Sequence, residues 1–129
     1  MTDFRENYLK ARKIIAEEIK SKHNLVESYQ DENRLTLNSS NHSIHLTFYV
    51  PDTEDIVISD IGTEPGHGKD FKYYLFEKYP NNDERAKILK GLYKDSRSSG
   101  NFDFSVESIE DSLRIMIGFM SKNYPSFFL

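Results

Sequence analysis

The stretch Ser43-Ile44-His45-Leu46-Thr47-Phe48-Tyr49-Val50 decides the fold prediction. Apolar residues alternate with more polar ones at every second position, which is the period of a β-strand with one buried face. Shorter patterns of the same kind flank this stretch, and turn-forming residues separate them. The predicted strands are Leu25–Gln30, Arg34–Asn38, Ser43–Val50 and Asp55–Ile61.

The connections between these four strands are only a few residues long, as in Asp31-Glu32-Asn33 and Pro51-Asp52-Thr53-Glu54. Links of this length cannot contain a crossover helix, so the strands should pair antiparallel in chain order, as a meander. One face of such a sheet packs on helices, and the other meets water or a partner.

Helical patterns lie on both sides of the strands. Over Asp3–Lys22, apolar residues recur at steps of three and four. Asp70–Tyr79 fits either a helix or a strand, and we favour a helix. Two more helices are predicted over Asn82–Asp95 and Ser105–Tyr124, each capped by its first residue. The prediction is a single α+β domain over residues 1–129, a four-stranded antiparallel meander with the N-terminal helix and the C-terminal helices packed on one face.

Composition excludes several classes of protein. The chain has no cysteine, which excludes disulfides and thiolate metal sites and is typical of the reducing cytoplasm. The longest nearly uncharged apolar stretch, Ile115–Met120, is far shorter than the ~20 residues of a membrane span. Charged, amphipathic sequence follows Met1 directly, so no signal peptide is predicted. We therefore expect a cytoplasmic protein that is not associated with a membrane.

Acidic residues concentrate in the predicted sheet. Between Leu25 and Glu64 there are eight acidic residues and one basic residue, Arg34, a net charge of −7. The first and third connections of a meander lie at the same end of the sheet, so their carboxylates should gather at one rim and attract a basic protein. Adjacent tyrosines would supply anchoring contact area. The predicted partner-binding residues are Asp31, Glu32, Asp52, Glu54, Asp55, Tyr29 and Tyr49. The plainer interpretation is that acids are common in surface turns because they are well solvated there.

Motifs for catalysis, metal binding or nucleotide binding are weak. His42 and His45 are three residues apart on a predicted strand, which places them on opposite faces rather than on one metal. In Gly66-His67-Gly68-Lys69, Asp70 follows the lysine where a phosphate-binding loop needs Ser or Thr. No serine lies in a nucleophile elbow, and the acidic sheet disfavours nucleic acid. We therefore predict a protein that is not an enzyme, without cofactor or metal.

The overall profile resembles the small bacterial immunity proteins that neutralise toxins, such as those of contact-dependent inhibition systems. The resemblance lies in size, acidic charge, absence of cysteine and absence of a catalytic motif, and no residue role carries over from it. It implies a stoichiometric inhibitor that blocks a basic, nuclease-like toxin with an acidic surface.

Two other hypotheses remain open on the sequence. One is a small ligand-binding domain or enzyme with an aromatic-lined pocket between sheet and helices, involving Tyr73, Tyr74, Phe76 and His67. The other is a self-associating structural or regulatory module held together by the helical face and the tail Phe127-Phe128-Leu129. For the tail itself, docking within the domain is favoured over a dimer contact. The sequence determines neither the partner nor the oligomeric state.

Overall fold

The computed structural model describes residues 4–40, 42–48, 59–64, 69–92 and 105–129. These residues form an α+β fold with an antiparallel sheet and several helices. In chain order the described elements are α1 (Phe4–His23), β1 (Val26–Gln30), β2 (Arg34–Asn38), β3 (Ser43–Phe48), β4 (Ser59–Glu64), β5 (Lys69–Asp70), α2 (Phe71–Lys78), α3 (Asn82–Lys90), α4 (Val106–Asn123) and a short 3₁₀ helix (Pro125–Phe128).

The end of α1 turns the chain back towards the sheet. Asn24 has a φ of 57°, a left-handed conformation that asparagine adopts more readily than most residues. The amide of Leu25 then donates to the carbonyl of Lys20 over 3.2 Å, as in a Schellman C-cap. Because Leu25 is itself buried, this turn is anchored in the core and holds β1 beside α1.

The described strands form one antiparallel sheet in the order β1-β2-β3-β4-β5. Strands β2 and β3 pair in unbroken register, from Arg34 opposite Thr47 to Asn38 opposite Ser43. The predicted α+β class and antiparallel pairing are confirmed, and β1, β2 and β3 lie within two residues of the predicted bounds.

The prediction of four strands is wrong in its count and in the end of its last member. Strand β4 continues to Glu64, three residues beyond the predicted end at Ile61, and it pairs with the two-residue strand β5. The sequence Gly62-Thr63-Glu64 lacks the apolar alternation of β3, so its pattern does not indicate a strand. These residues are extended because backbone hydrogen bonds pair them with a neighbouring strand, as Gly62 pairs with His45 of β3. Residues 55–58 of the predicted strand lie outside the described residues.

The helices after the sheet follow the prediction with one correction. The ambiguous segment is helical, as α2. The side chain of Ser105 accepts a hydrogen bond from the amide of Ser108 over 3.2 Å, so the predicted cap of α4 is confirmed. For α3 the predicted cap is wrong: Asn81 is the N-cap residue, with extended backbone and no side-chain capping hydrogen bond, and Asn82 is already helical. Residues 93–95, predicted to end α3, lie outside the described residues.

One face of the sheet contributes to the hydrophobic core. Leu35 pairs with Leu46 and Leu37 pairs with Ile44, and all four side chains are buried. They form one cluster with residues from the helices: Tyr8, Ala11, Ile15, Ile19, Leu75, Ile109, Leu113, Met116 and Met120. None of the described helices is both long enough and apolar enough to cross a membrane.

The C-terminal tail packs against the rest of the chain. Phe128 is 5% exposed, and its ring centroid lies 4.6 Å from that of His23. Phe127 makes an edge contact with His42, at 5.2 Å. Leu129, in contrast, is exposed. The tail is therefore docked through Phe128, as the favoured alternative predicted.

Candidate functional site

A groove of about 580 Å³ lies between α1 and the sheet-edge strand β1. Helix α1 supplies one wall, and β1 together with the following turn supplies the other. The side chains that line the groove are Leu9, Arg12, Lys13, Glu17, Glu27, Gln30, Asp31 and Glu32. It falls in the size range of small-molecule sites and of anchor pockets for partner side chains.

The groove exists because polar side chains of β1 point towards α1. Glu27 is paired with Leu37, and Gln30 is paired with Leu35. Because cross-strand partners share a face, Glu27 and Gln30 lie on the side where those leucines are buried. An irregularity of register between Glu27 and Tyr29 lets residues three apart share that face. Since burying a carboxylate or an amide without partners is costly, the core ends before β1 and leaves an open space.

Arg12 is the buried member of the groove. Its side chain is 4% exposed, and its guanidinium carbon lies 5.6 Å from the centroid of the Tyr8 ring. Its Nη1 is buried, and no acceptor among the described residues lies within hydrogen-bonding distance of it. None of the ion pairs among the described residues includes Arg12. The groove therefore contains a buried cation whose hydrogen-bonding capacity is not used.

Carboxylates outnumber cations in the groove lining. Four acidic residues and two basic ones line it. Lys20, on the adjacent turn of α1, lies 3.0 Å from the Glu17 carboxylate and 3.8 Å from that of Glu27. The groove thus combines an acidic rim with a cationic floor at Arg12.

Asp31 is held in place by the turn between β1 and β2. One of its carboxylate oxygens accepts hydrogen bonds from the amides of Asn33 and Arg34, each over 2.8 Å. The other accepts from the Tyr29 hydroxyl over 2.5 Å. These bonds, with that from Tyr29 the most important, hold the pKa of Asp31 below its usual value, and the same bond raises the pKa of Tyr29. The oxygens of Asp31 are therefore already bonded to local donors.

Glu32 is more available. Its side chain is 76% exposed, and its nearest described ion-pair partner is Arg5, at 3.8 Å. Arg5 also donates to the Asn33 side chain over 2.7 Å. On the other side of the turn, the guanidinium of Arg34 lies 4.5 Å from the Tyr29 ring centroid. Nearby arginines thus neutralise part of the predicted acidic rim.

The structure brings together three of the seven predicted partner-binding residues: Tyr29, Asp31 and Glu32. The other four, Tyr49, Asp52, Glu54 and Asp55, lie outside the described residues. The strand ends that flank them are described, and Arg34 pairs with Thr47 while Phe48 pairs with Ser59. The described end of β3 and the described start of β4 therefore lie at the end of the sheet where the Asp31 turn lies.

Sequence reasoning missed the α1 side of this site. Arg12 lies four residues after Tyr8 and next to Ala11, both of which belong to the apolar stripe of α1. Steps of four, three and four residues link Tyr8, Arg12, Ile15 and Ile19, so the helical period places Arg12 on the apolar stripe itself. The groove itself could not be predicted without the irregular register of β1.

The alternative aromatic pocket is not assembled by the described residues that were named for it. Tyr74 is buried and packs against Tyr124 and Phe127, with ring centroids 4.9 and 5.4 Å away. Tyr73 and Phe76 are exposed, and His67 lies outside the described residues. Of the described rings named for the pocket, Tyr74 therefore packs against the docked tail.

The histidines do not form a metal site in the described part of the chain. His45 is buried beside Thr36, whereas His42 is exposed and contacts Phe127. Among the described residues, no group of three or more His, Cys, Asp or Glu side chains is placed to hold a metal ion.

Comparison of the chain with protein-family models, with curated proteins and with solved structures gave no match.

Proposed function

We propose that this protein is a stoichiometric inhibitor that binds a basic partner protein through the groove between α1 and β1. The observation that carries the proposal is the lining of that groove: four carboxylates from α1, β1 and the turn after β1, beside an exposed edge strand. The role is one of binding rather than catalysis.

The shape of the site favours a protein partner. All five residues of β1 are exposed, and Val26 and Tyr29 are large side chains that expose 67% and 45% of their surface. In the described sheet β1 has a strand neighbour on one side only. Their cross-strand partners, Asn38 and Thr36, place these two side chains on the sheet face opposite to the groove lining, so they flank the groove across the edge strand. Exposed aromatic and apolar side chains are the usual anchors of a protein interface.

The charge of the site favours a basic partner. Glu17 on one wall and Glu27, Asp31 and Glu32 on the other make the groove lining mainly acidic, and hydrogen bonds, above all that from the Tyr29 hydroxyl, hold the pKa of Asp31 below its usual value. Complementary charge speeds encounter and excludes acidic competitors.

The biological role that fits these features is that of an immunity protein, in keeping with the overall resemblance of the chain. A toxin that cleaves nucleic acid needs a basic substrate groove, and an acidic surface seated on it would block the substrate. Inhibition of this kind requires no catalytic group in the inhibitor.

The test begins with capture of partners from a lysate of the source organism, using the wild-type chain and a groove variant, Glu27→Lys with Glu32→Lys, as baits. The wild type should retain a basic protein at low salt and lose it at high salt, because the attraction is screened. The association rate of the groove variant should be about one tenth of the wild-type rate, or slower still. The activity of the captured protein should be abolished at one equivalent of the wild-type chain.

A matched control carries the same change of charge in the first turn of α3, which contributes no residue to the groove lining: Asp83→Lys with Glu84→Lys. This control should bind like the wild type, and thermal melting should verify that both variants are folded. Equal association rates for the groove variant and the wild type would overturn the site. An active partner at equimolar inhibitor would overturn the inhibitory role.

A further inference from the structure

The buried guanidinium of Arg12 is the feature of the groove that attraction to a basic partner does not explain. A buried charge is costly unless hydrogen bonds and a counter-charge compensate it. Arg12 is 4% exposed, and its Nη1 has no acceptor among the described residues. An acidic groove that served only to attract cations would have no use for a cation at its floor.

The carboxylates of the groove are engaged elsewhere. Glu17 and Glu27 lie beside Lys20, Asp31 accepts three hydrogen bonds within its own turn, and Glu32 lies nearest to Arg5. They approach the same cavity as Arg12 but do not pair with it. None of them supplies the acceptor that Arg12 lacks among the described residues, which leaves that role to a bound molecule or to water.

We propose that Arg12 binds the carboxylate of a ligand that is otherwise cationic, namely a basic amino acid or the carboxyl terminus of a lysine- or arginine-rich peptide. The planar guanidinium matches a carboxylate with two parallel hydrogen bonds. The acidic rim repels a simple anion such as phosphate, and a simple cation has no acceptor to offer Arg12. A ligand with a carboxylate at the floor and positive charge at the rim satisfies both halves of the groove.

The size of the groove fits such a ligand. Its volume of about 580 Å³ lies within the range of small-ligand pockets and exceeds what a single carboxylate fills. This inference rests on the proposed function only because both use the same acidic groove. The following experiment separates them: the acidic groove alone favours the more positively charged probe, whereas recognition by Arg12 favours the probe with a free carboxylate.

The experiment compares trilysine that has a free terminal carboxylate with trilysine amide, by titration calorimetry at low salt on the full chain. The amide carries one more net positive charge, so an acidic groove alone would bind it at least as tightly. Recognition by Arg12 predicts the reverse, with the free acid binding about tenfold tighter. A second pair, L-lysine against its decarboxylated analogue cadaverine, shows whether one amino acid suffices or a peptide end is needed.

Variants assign the preference to Arg12. Arg12→Met keeps an unbranched, flexible side chain and removes the guanidinium, so it should abolish the preference for the free acid while both probes still bind. Arg12→Lys, which keeps the charge without the planar fork, should reduce it. Glu27→Gln is the matched control and should weaken both probes equally, leaving their ratio unchanged.

If Arg12→Met does not fold, an NMR measurement on the wild-type protein still tests the proposal. In the wild-type protein, the Arg12 Nε–H resonance should shift on addition of the free acid and stay in place with the amide. Equal binding of the two trilysines, or tighter binding of the amide, would overturn the Arg12 site and leave the acidic groove standing. Absence of binding by all four probes at millimolar concentration would also overturn the Arg12 site. It would leave the proposed inhibitor function untouched, because that function is tested by binding and inhibition of the captured partner protein.

Discussion

The hydroxyl oxygen of Thr36 lies 2.8 Å from Nδ1 of His45, and the two residues face each other across β2 and β3. Both side chains are buried, although they lie on the face of the sheet opposite to Leu35 and Leu37. Burial and the nearby charge of Arg34 lower the pKa of His45, burial being the larger effect. The imidazole is therefore kept neutral, with one hydrogen-bond partner for its Nδ1.

Removal of the hydroxyl should destabilise the fold. Thr36→Val keeps the shape of the side chain and leaves Nδ1 of the buried His45 without its described partner, which should lower the free energy of unfolding by about 1–3 kcal/mol. Urea denaturation measures this. Ser40→Ala, at an exposed position, is the control and should change the value by less than about 0.5 kcal/mol. A Thr36→Val protein as stable as the wild type would show that the contact contributes nothing.

The fold should lose stability as the pH falls below the usual histidine pKa of 6.5. Burial lowers the pKa of both His23 and His45 in the folded chain. The unfolded chain therefore takes up these protons first, and their contribution to stability, complete above pH 6.5, is lost as the pH falls towards the folded-state values. Urea midpoints measured between about pH 7.5 and 5.5 test this. The double variant His23→Gln with His45→Gln should show a flatter profile, and an unchanged slope would contradict the assignment.

The course of β2 and β3 illustrates what the sequence could predict. Alternation of apolar residues over Arg34–Asn38 and Ser43–Phe48 is a local property, and it placed both strands and their core-facing leucines correctly. The same alternation assigns Thr36 and His45 to a solvated face, yet they are buried. Burial of a polar residue depends on which groups pair with it across the sheet, and a single strand pattern does not contain that information.

The candidate site was predictable only in part for a related reason. Asp31 and Glu32 stood out because turn residues are recognisable locally. The groove beside them depends on the irregular register near Ser28 and on the position of α1 over β1. Both are products of tertiary packing, so Arg12 and Glu27 could not be assigned to one cavity from the sequence.

The pair formed by Glu18 and Arg114 should couple α1 to α4. Arg114 donates from Nη2 over 2.6 Å and from Nε over 3.2 Å to the two oxygens of Glu18, and this bonding lowers the pKa of the carboxyl. Both side chains are about half exposed, at 44% and 48%, so solvent screens the interaction. A double-mutant cycle with alanine at both positions should give a coupling of about 0.5–1 kcal/mol that weakens in high salt.

The same cycle at Glu84 and Lys87 is the control for that measurement. These side chains lie 3.6 Å apart within one helix and are more exposed, at 56% and 75%, so their coupling should be about 0.3 kcal/mol. Because the pKa of Glu18 is lowered from 4.5, its coupling should be complete above that pH and vanish as the pH falls through the folded-state value. Equal coupling energies in the two pairs would show that the bidentate geometry of Arg114 and Glu18 does not strengthen their interaction.

The docked tail should stabilise the chain rather than join two copies of it. Phe128 is buried against His23, so Phe128→Ala should cost about 2–4 kcal/mol of unfolding free energy through lost burial and the cavity left behind. Leu129→Ala, one residue further along, should cost less than about 0.5 kcal/mol because Leu129 is exposed. In sizing chromatography, deletion of residues 126–129 should leave the oligomeric state unchanged. A change from dimer to monomer on deletion, with Phe128→Ala as stable as the wild type, would instead support the self-association hypothesis, because the tail would then act between chains.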